Sequence, residues 1–541
     1  MIILHMGSPR DIHKQMCMKI SRPLRLLACV AVAILALGII CSKHENYYKI
    51  RLLRRLIQKK IIGDTDLMAV LDRFHVRFIP EKLIKFPLSK TRDEMRPLWA
   101  FRLSHAVPTY PVPLVDDTDK DGVPEVYIGS YSKQLYVLNG ITGDKLWEWH
   151  LPFGVVGGVS LAIDDLDNDG EKEILVGAHT SHPIRLYALR SAKKLGKRKR
   201  LKWVQNFSGD FIEGGVNIVT HEKRKYIIVA TRDAPYSRGT INVLNAYGEF
   251  IYSPIFGVDI CASRPAIGFL GHDRNFCFIH GSHKFYNAIF GNTISARDLL
   301  IGKVLWNVNL KGDTGSQNHQ IVDADFDGEN DVVAYVSYNE QGKLELPKSD
   351  GSLVSLNYKT GDRLSIILDG VTGLVKRYFQ GKLIGIITKN RSYLVQERDD
   401  GPVYCYDEKG RLRYKMRGIS FGIYLDDSNL YLVDMFYNKN RVVLELYNAF
   451  SGSKIKKIEA RLSLPRHNMP SDYGIFGAPQ DMLEFKTLAD TDNDGYWNAL
   501  VLIDDFVVNL HLPIRVGRKY NPYVLVPFRN INNAGPIYDP E

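Results

Sequence analysis

The chain is short of cysteine, of tryptophan and of long apolar runs. Six cysteines in 541 residues are too few for a disulfide framework. Cys17, Cys29 and Cys41 fall near the amino terminus; Cys261, Cys277 and Cys405 are an odd set that reads as small buried residues, with a Cys261–Cys277 bridge left open. There is no Gly-x-Ser-x-Gly, no His-Glu-x-x-His and no phosphate-cradling glycine loop, so the familiar nucleophile, zinc-hydrolase and nucleotide signatures are missing. Net charge is missing too, over most of the length. Residues 1–96 hold 19 Lys/Arg against 8 Asp/Glu, and the remaining 445 hold 52 of each. A basic body would point to nucleic acid. A basic leader ahead of a neutral body points to an anionic membrane surface, and nucleic acid is not expected as a partner.

One charge-free apolar run stands in that leader, Leu26 to Ser42. It is at the short end for a spanning helix, and no small-residue cleavage site ends it clearly. The expectation is an uncleaved signal anchor, with a cleaved signal peptide as the alternative. Downstream, Ile50, Leu53, Leu56, Ile57 and Ile61 recur at helical spacing among Lys49, Arg51, Arg54, Arg55, Lys59 and Lys60. An amphipathic helix on headgroups fits this, as does a solvated stalk. Membrane lipid is therefore an expected partner through residues 26–62. The expected organisation is a basic tail at 1–25, a transmembrane anchor at 26–42, a basic helical stem at 43–96, a β-domain at 97–515 and a tail at 516–541.

What is abundant is a short acidic loop, present four times. The copies run Asp117, Asp119, Asp121, Val123, Glu125; Asp165, Asp167, Asp169, Glu171, Glu173; Asp323, Asp325, Asp327, Glu329, Asp331; and Asp490, Asp492, Asp494, Tyr496, Asn498 at positions one, three, five, seven and nine. Gly122, Gly170, Gly328 and Gly495 stand at position six. Alternate carboxylates in a tight loop suit calcium, which takes six to eight oxygens, and position seven would add its backbone carbonyl. Glycine permits the left-handed turn around an ion. A metal-free Asp/Gly turn is the plainer reading of any one copy. Asn498 is neutral, so the fourth loop should bind most weakly.

The surroundings repeat at roughly fifty residues. Each loop runs into apolar strand patterns such as Glu125-Val-Tyr-Ile-Gly-Ser and Glu173-Ile-Leu-Val-Gly-Ala, and an outer-strand phrase follows, fullest in Thr142-Gly-Asp-Lys-Leu-Trp147. Weaker copies start near Leu201, Glu249, Gly302, Thr360, Gly410 and Ser453. An eighth, Leu98-Trp99-Ala-Phe101-Arg-Leu103, precedes the first loop, while the last loop has none after it. Circular closure explains the displacement: the amino-terminal strand completes the carboxy-terminal blade. The expected fold is all-β, an eight-bladed β-propeller with seven blades as the alternative, preceded by a transmembrane helix. A β-solenoid or paired sandwiches would also accommodate the repeats.

Asp165 to Ala178 resembles the calcium-binding FG-GAP repeat of integrin α-subunit propellers, and Phe476-Gly477-Ala478-Pro479 resembles the phrase that names it. Leu138 to Trp147 is similar to the outer turn and strand of quinoprotein-like, eight-bladed propellers. Both resemblances imply a propeller, and neither fixes a function. A quinone-dependent dehydrogenase would also need an adjacent cysteine pair, absent here, and a tryptophan girdle that six Trp cannot fill. The leading expectation is a membrane-anchored binding or scaffold propeller on the extracytoplasmic side, where calcium fills low-affinity loops, with a protein or glycan partner on its face. A polysaccharide-lyase-like enzyme is the alternative. No catalytic residue is assigned. The basic run from Arg190 to Lys202 reads as a solvated hairpin tip or an anion grip, and His179 with His182 is a weak metal pair.

Overall fold

The computed structural model describes residues 81–87, 94–103, 113–130, 134–151, 161–177, 183–193, 195–208, 212, 215–231, 239–256, 265–271, 275–282, 292–315, 319–387, 391–396, 401–417, 421–424, 430–438, 440–464, 483–503 and 506–516. They form eight antiparallel blade sheets and one inserted two-stranded hairpin in the all-β arrangement of an eight-bladed propeller, and the seven-blade alternative falls away. Blades 1 to 7 occupy 114–150, 161–207, 216–256, 266–309, 320–380, 382–416 and 421–461. Blade 8 joins the two ends of the domain: Leu483–Ala489, Tyr496–Ile503 and Phe506–Arg515 are followed in the sheet by Arg96–Arg102. Phe101 pairs with Val507 and Ala100 with Val508, the closure that the displaced phrase implies.

Two details depart from the sequence reading. Lys82–Lys85, placed there with the helical stem, is a fifth strand on blade 8, pairing Leu83 with Phe101. The Thr360 phrase is not an outer strand. Arg363–Leu368 is the third strand of blade 5, and Val375–Gln380 is its outer strand. A hairpin, Gly342–Pro347 with Leu353–Tyr358, is inserted between the blade's second and third strands and moves the phrase out of step. The segment 26–42 lies outside the described residues. Among the described residues no helix is long and apolar enough to cross a membrane.

The core lies between neighbouring sheets. Tyr127, Leu135 and Val137 of blade 1 pack with Leu161, Ile174 and Val176 of blade 2. Second strands such as Glu173–Gly177 are buried throughout, which is why they read as unbroken apolar runs.

The recurring outer phrase is a latch between blades. The indole N–H of Trp99 on blade 8 donates to Gly140 O in the turn of blade 1 at 2.8 Å. Trp203 donates to Ala246 O at 3.1 Å and Trp306 to Gly370 O at 2.9 Å, each reaching the next blade's turn. Tyr414 does the same through its hydroxyl to Ala449 O. The glycine of each receiving turn has positive φ and lies under the ring. A Cβ at Gly143 would meet Trp99 at 2.7 Å, and one at Gly373 would meet Trp306 at 2.9 Å. At these four junctions the latch is thus made by tryptophan three times and by tyrosine once. Gly373→Ala should lower the melting temperature by a few degrees, since it adds left-handed strain to a ring clash; an unchanged melt would show that the latch is slack.

Candidate metal centres

The four acidic loops join the first and second strands of blades 1, 2, 5 and 8. In antiparallel blades those connections share a rim with the turns between third and fourth strands, and Gly140 N donates to Pro124 O at 2.8 Å across that rim. All four loops fold alike. The first-position carboxylates of Asp117, Asp165, Asp323 and Asp490 accept the N–H groups of positions five and six at 2.9–3.1 Å. Asp121, Asp169, Asp327 and Asp494 accept the N–H of Val123, Glu171, Glu329 and Tyr496 at 2.8–2.9 Å. Besides glycine at six, position four is left-handed, with φ of 59, 60, 68 and 54° at Lys120, Asn168, Phe326 and Asn493. That second turn is the part of the loop geometry that the glycine spacing does not signal.

Position nine uses both of its oxygens within the loop. Glu125, Glu173 and Asp331 each accept the N–H of position two with one oxygen, at 3.0, 3.1 and 3.2 Å. The other oxygen faces carboxylates of positions one and three. The ligand atoms of Asp117, Asp119 and Glu125 lie within 4.8 Å of one another, as do those of Asp165, Asp167 and Glu173, and of Asp323, Asp325 and Asp331. The fifth-position Asp121, Asp169 and Asp327 stand outside these groups. Each group could hold a metal ion.

These three groups already face a cation of the chain's own. Lys193 Nζ lies 2.9, 2.6 and 3.1 Å from Asp119, Asp121 and Glu125. Lys202 lies 2.7 Å from both Asp167 and Glu173. Lys376 lies 3.0, 2.8 and 2.9 Å from Asp325, Asp327 and Asp331. Burial works against the Lys193 and Lys376 charges, yet the hydrogen bonds they donate to these carboxylates raise both pKa values. Lys193, Arg200 and Lys202 of the basic run therefore do not stand free in solvent. Lys193 and Lys202 each pair with carboxylates of one loop, and buried Arg200 lies 3.7 Å over the ring of Trp147. The sequence signal was available, because each acidic loop with a carboxylate at nine needs a counter-cation and Lys193 and Lys202 sit in the nearest basic run.

The fourth loop differs. Asn498 Oδ1 accepts the Thr491 N–H at 2.9 Å. The group of ligand atoms within 4.8 Å is here Asp492, Asp494 and His511, a residue outside the loop motif. His511 is fully buried, with Nδ1 3.7 Å from Asp494 Oδ2. Burial, then the charges of Asp494 and Asp490, push the Asp492 carboxyl up to about 7. Burial likewise pushes Asp331 up to about 7 despite Lys376. Under-neutralised carboxylates of this kind fit a bound cation, which would relieve both.

Loops on adjoining blades touch in a repeating way. Asn493 of the fourth loop donates to Gly122 O of the first at 3.1 Å, and Lys120 of the first donates to Gly170 O of the second at 2.9 Å. Three centres thus form a chain across the closure seam. Cys277 and Cys405 are free and buried, and Cys261, His179 and His182 lie outside the described residues.

Fold and loops together define an eight-bladed β-propeller with four acidic centres on one rim. No protein-family model matches the chain, so the FG-GAP resemblance stands on the loop sequences and on Phe476 to Pro479, the latter outside the described residues. No curated protein matches it either. Similar solved structures include BamB from Moraxella catarrhalis, 15% identical, covering 77% of this chain and 99% of that one at a TM-score of 0.43. A europium-containing methanol dehydrogenase is 11% identical over 70% of this chain and 82% of its own, at 0.42. Sqt1 from Saccharomyces cerevisiae is 11% identical over 76% and 98%, also at 0.42. The likeness is one of fold.

Proposed function

We propose that this protein is a calcium-braced binding propeller, held by residues 26–62 at the outer face of a membrane, that presents a protein or glycan partner on the rim opposite its acidic loops. The observation that carries the reading is the placement of the four centres. They share one rim with the interblade latches, and their carboxylates are committed to backbone N–H groups and, in three of the four, to a lysine. That rim is a brace, so partner contacts fall to the other one. In the Asp117, Asp165 and Asp323 loops calcium would take oxygens of positions one, three and nine and displace the lysine. The Asp490 loop, with a neutral Asn498 at position nine, offers fewer carboxylate oxygens than these three.

Calcium is thus structural in this reading. At ten times Kd each site would add about 1.4 kcal/mol of stability. Chelation of the full chain in detergent should lower its melting temperature by a few degrees, with calorimetric heat on calcium return; identical melts and no heat would remove calcium from the proposal. For the partner, crosslinking in intact cells should capture one specific protein or glycan, and capture should survive Asp117→Asn. A single substitution outside the loops that abolishes a turnover while leaving fold and binding intact would replace the binding reading with an enzyme. Membrane attachment is tested separately: the chain should resist alkaline extraction and lose that resistance when residues 26–42 are deleted.

A further inference from the structure

The fourth loop reads as the weakest copy by its oxygens, but its surroundings give it a different donor set. Asn498 spends Oδ1 on the Thr491 N–H at 2.9 Å. The opposite flip would set two donors against each other, so the amide orientation is fixed by its partner. What remains is the buried Nδ2, which lies toward the Asp492 carboxylate without full hydrogen-bond geometry and, as an N–H donor, cannot ligate a cation. In the other three loops that place belongs to a carboxylate oxygen. No lysine among the described residues reaches this group, unlike the other three.

Blade closure supplies the replacement. Asn498 pairs across the sheet with His511, so the two side chains share a face. In blade 1 the same register place, opposite Glu125, is Asn139. Asn139 caps the turn into the fourth strand by accepting the N–H groups of Ile141 and Thr142. Asn245, Asp298, Asp369, Asp407 and Asn448 cap the corresponding turns of blades 3 to 7. Blade 8 has no such turn, because its fourth strand comes from the amino-terminal side of the domain. Phe506–Arg515 runs straight through, and its residue at this place is free to be an imidazole.

We infer that Asp492, Asp494 and His511 form a site for a borderline divalent transition metal of the zinc class, chemically distinct from the three oxygen-only loops. Imidazole nitrogen with carboxylates favours zinc over calcium, which prefers oxygen. Ligation through Nδ1 leaves the proton on Nε2. The 3.7 Å between Nδ1 and Asp494 Oδ2 is longer than a hydrogen bond and spans two ligands of one ion. The site needs no displacement of an internal ammonium. Its loop also touches the first through Asn493, so the metal would sit on the seam where the ring closes.

The inference rests on the reading of the loops as cation sites, and the test separates the two. The full chain in detergent is titrated with zinc against a chromophoric chelator, with and without millimolar calcium. One equivalent should bind, unaffected by calcium, and at least tenfold more weakly in His511→Gln. Asp323→Asn should leave it unchanged. Because His511 is buried, Asp492→Asn serves as the second variant: it is partly exposed, leaves the strand intact, and should also weaken zinc at least tenfold. With cobalt in place of zinc, a nitrogen ligand should appear in the spin-echo spectrum of the wild type. Zinc binding no tighter than in Asp492→Asn, or no nitrogen ligand on cobalt, would overturn the zinc-class site. So would full displacement by calcium. Loss of calcium heat with zinc retained would instead remove the calcium loops and leave this site standing.

Discussion

Deleting residues 96–103 is expected to leave the ring open and the protein in aggregates. The strand Arg96–Arg102 lies between Phe506–Arg515 and Lys82–Lys85, and its loss strips one whole edge of blade 8. Val507, Val508 and Leu510 are buried beside it and would lie on an unpaired edge, a template for pairing with other chains. The loss also removes a junction, since Trp99, Phe101 and Leu103 pack with Val126, Ile128 and Leu138 of blade 1. Trp99→Ala isolates that junction. It empties a fully buried site and removes the hydrogen bond to Gly140 O, though Asn509 Nδ2 still reaches that carbonyl at 3.1 Å. A loss of about 3–5 kcal/mol follows for a buried tryptophan. Denaturant melts and light scattering read both variants; a soluble deletion that melts cooperatively would sink the account of closure.

The second large effect is on metal affinity. Lys376→Met should bind calcium at the Asp323 loop at least tenfold more tightly than wild type. The ammonium it removes lies within 3.0 Å of Asp325, Asp327 and Asp331, so a divalent ion entering the wild-type loop has to displace it. The metal-free variant should meanwhile be less stable, because Asp331 is buried and breaking a buried pair costs roughly 3–5 kcal/mol. The signature is a lowered melt with chelator and a larger rise with calcium. Asp331 sits near 7, raised by burial, so protons compete with metal there and affinity should fall as pH drops from 8 to 6. If calorimetry gives wild-type affinity and the chelated melt is unmoved, the lysine is a bystander.

Much of this was legible in the chain. Alternating Asp with glycine at position six marks all four loops, because a tight loop leaves few ways to place its carboxylates. The phrase at Leu98 placed the closing strand, because a blade's outer strand carries the aromatic of the latch wherever it lies in the chain. The illegible parts depend on neighbours in space. Lys376 is 45 residues beyond Asp331 and marked by no spacing. His511 matters only through its register opposite Asn498. The Thr360 phrase misled because the inserted hairpin's exit turn, with Gly361 at φ 89°, carries the same Thr-Gly chemistry as the true turn at Thr372-Gly373.

The extra strand Lys82–Lys85 has a mechanical consequence. It pairs Lys82 with Arg102 and Lys85 with Trp99, so the chain enters the sheet at the end from which the partner strand leaves. A pull on the chain ahead of Lys82 loads that hairpin in unzipping geometry, one rung after another, at low force. Its release frees residues 82–95, roughly 45 Å of slack, while Trp99 still pins the next strand to blade 1. The edge strand would thus yield before the closing strand behind it, which carries load only when that slack is spent.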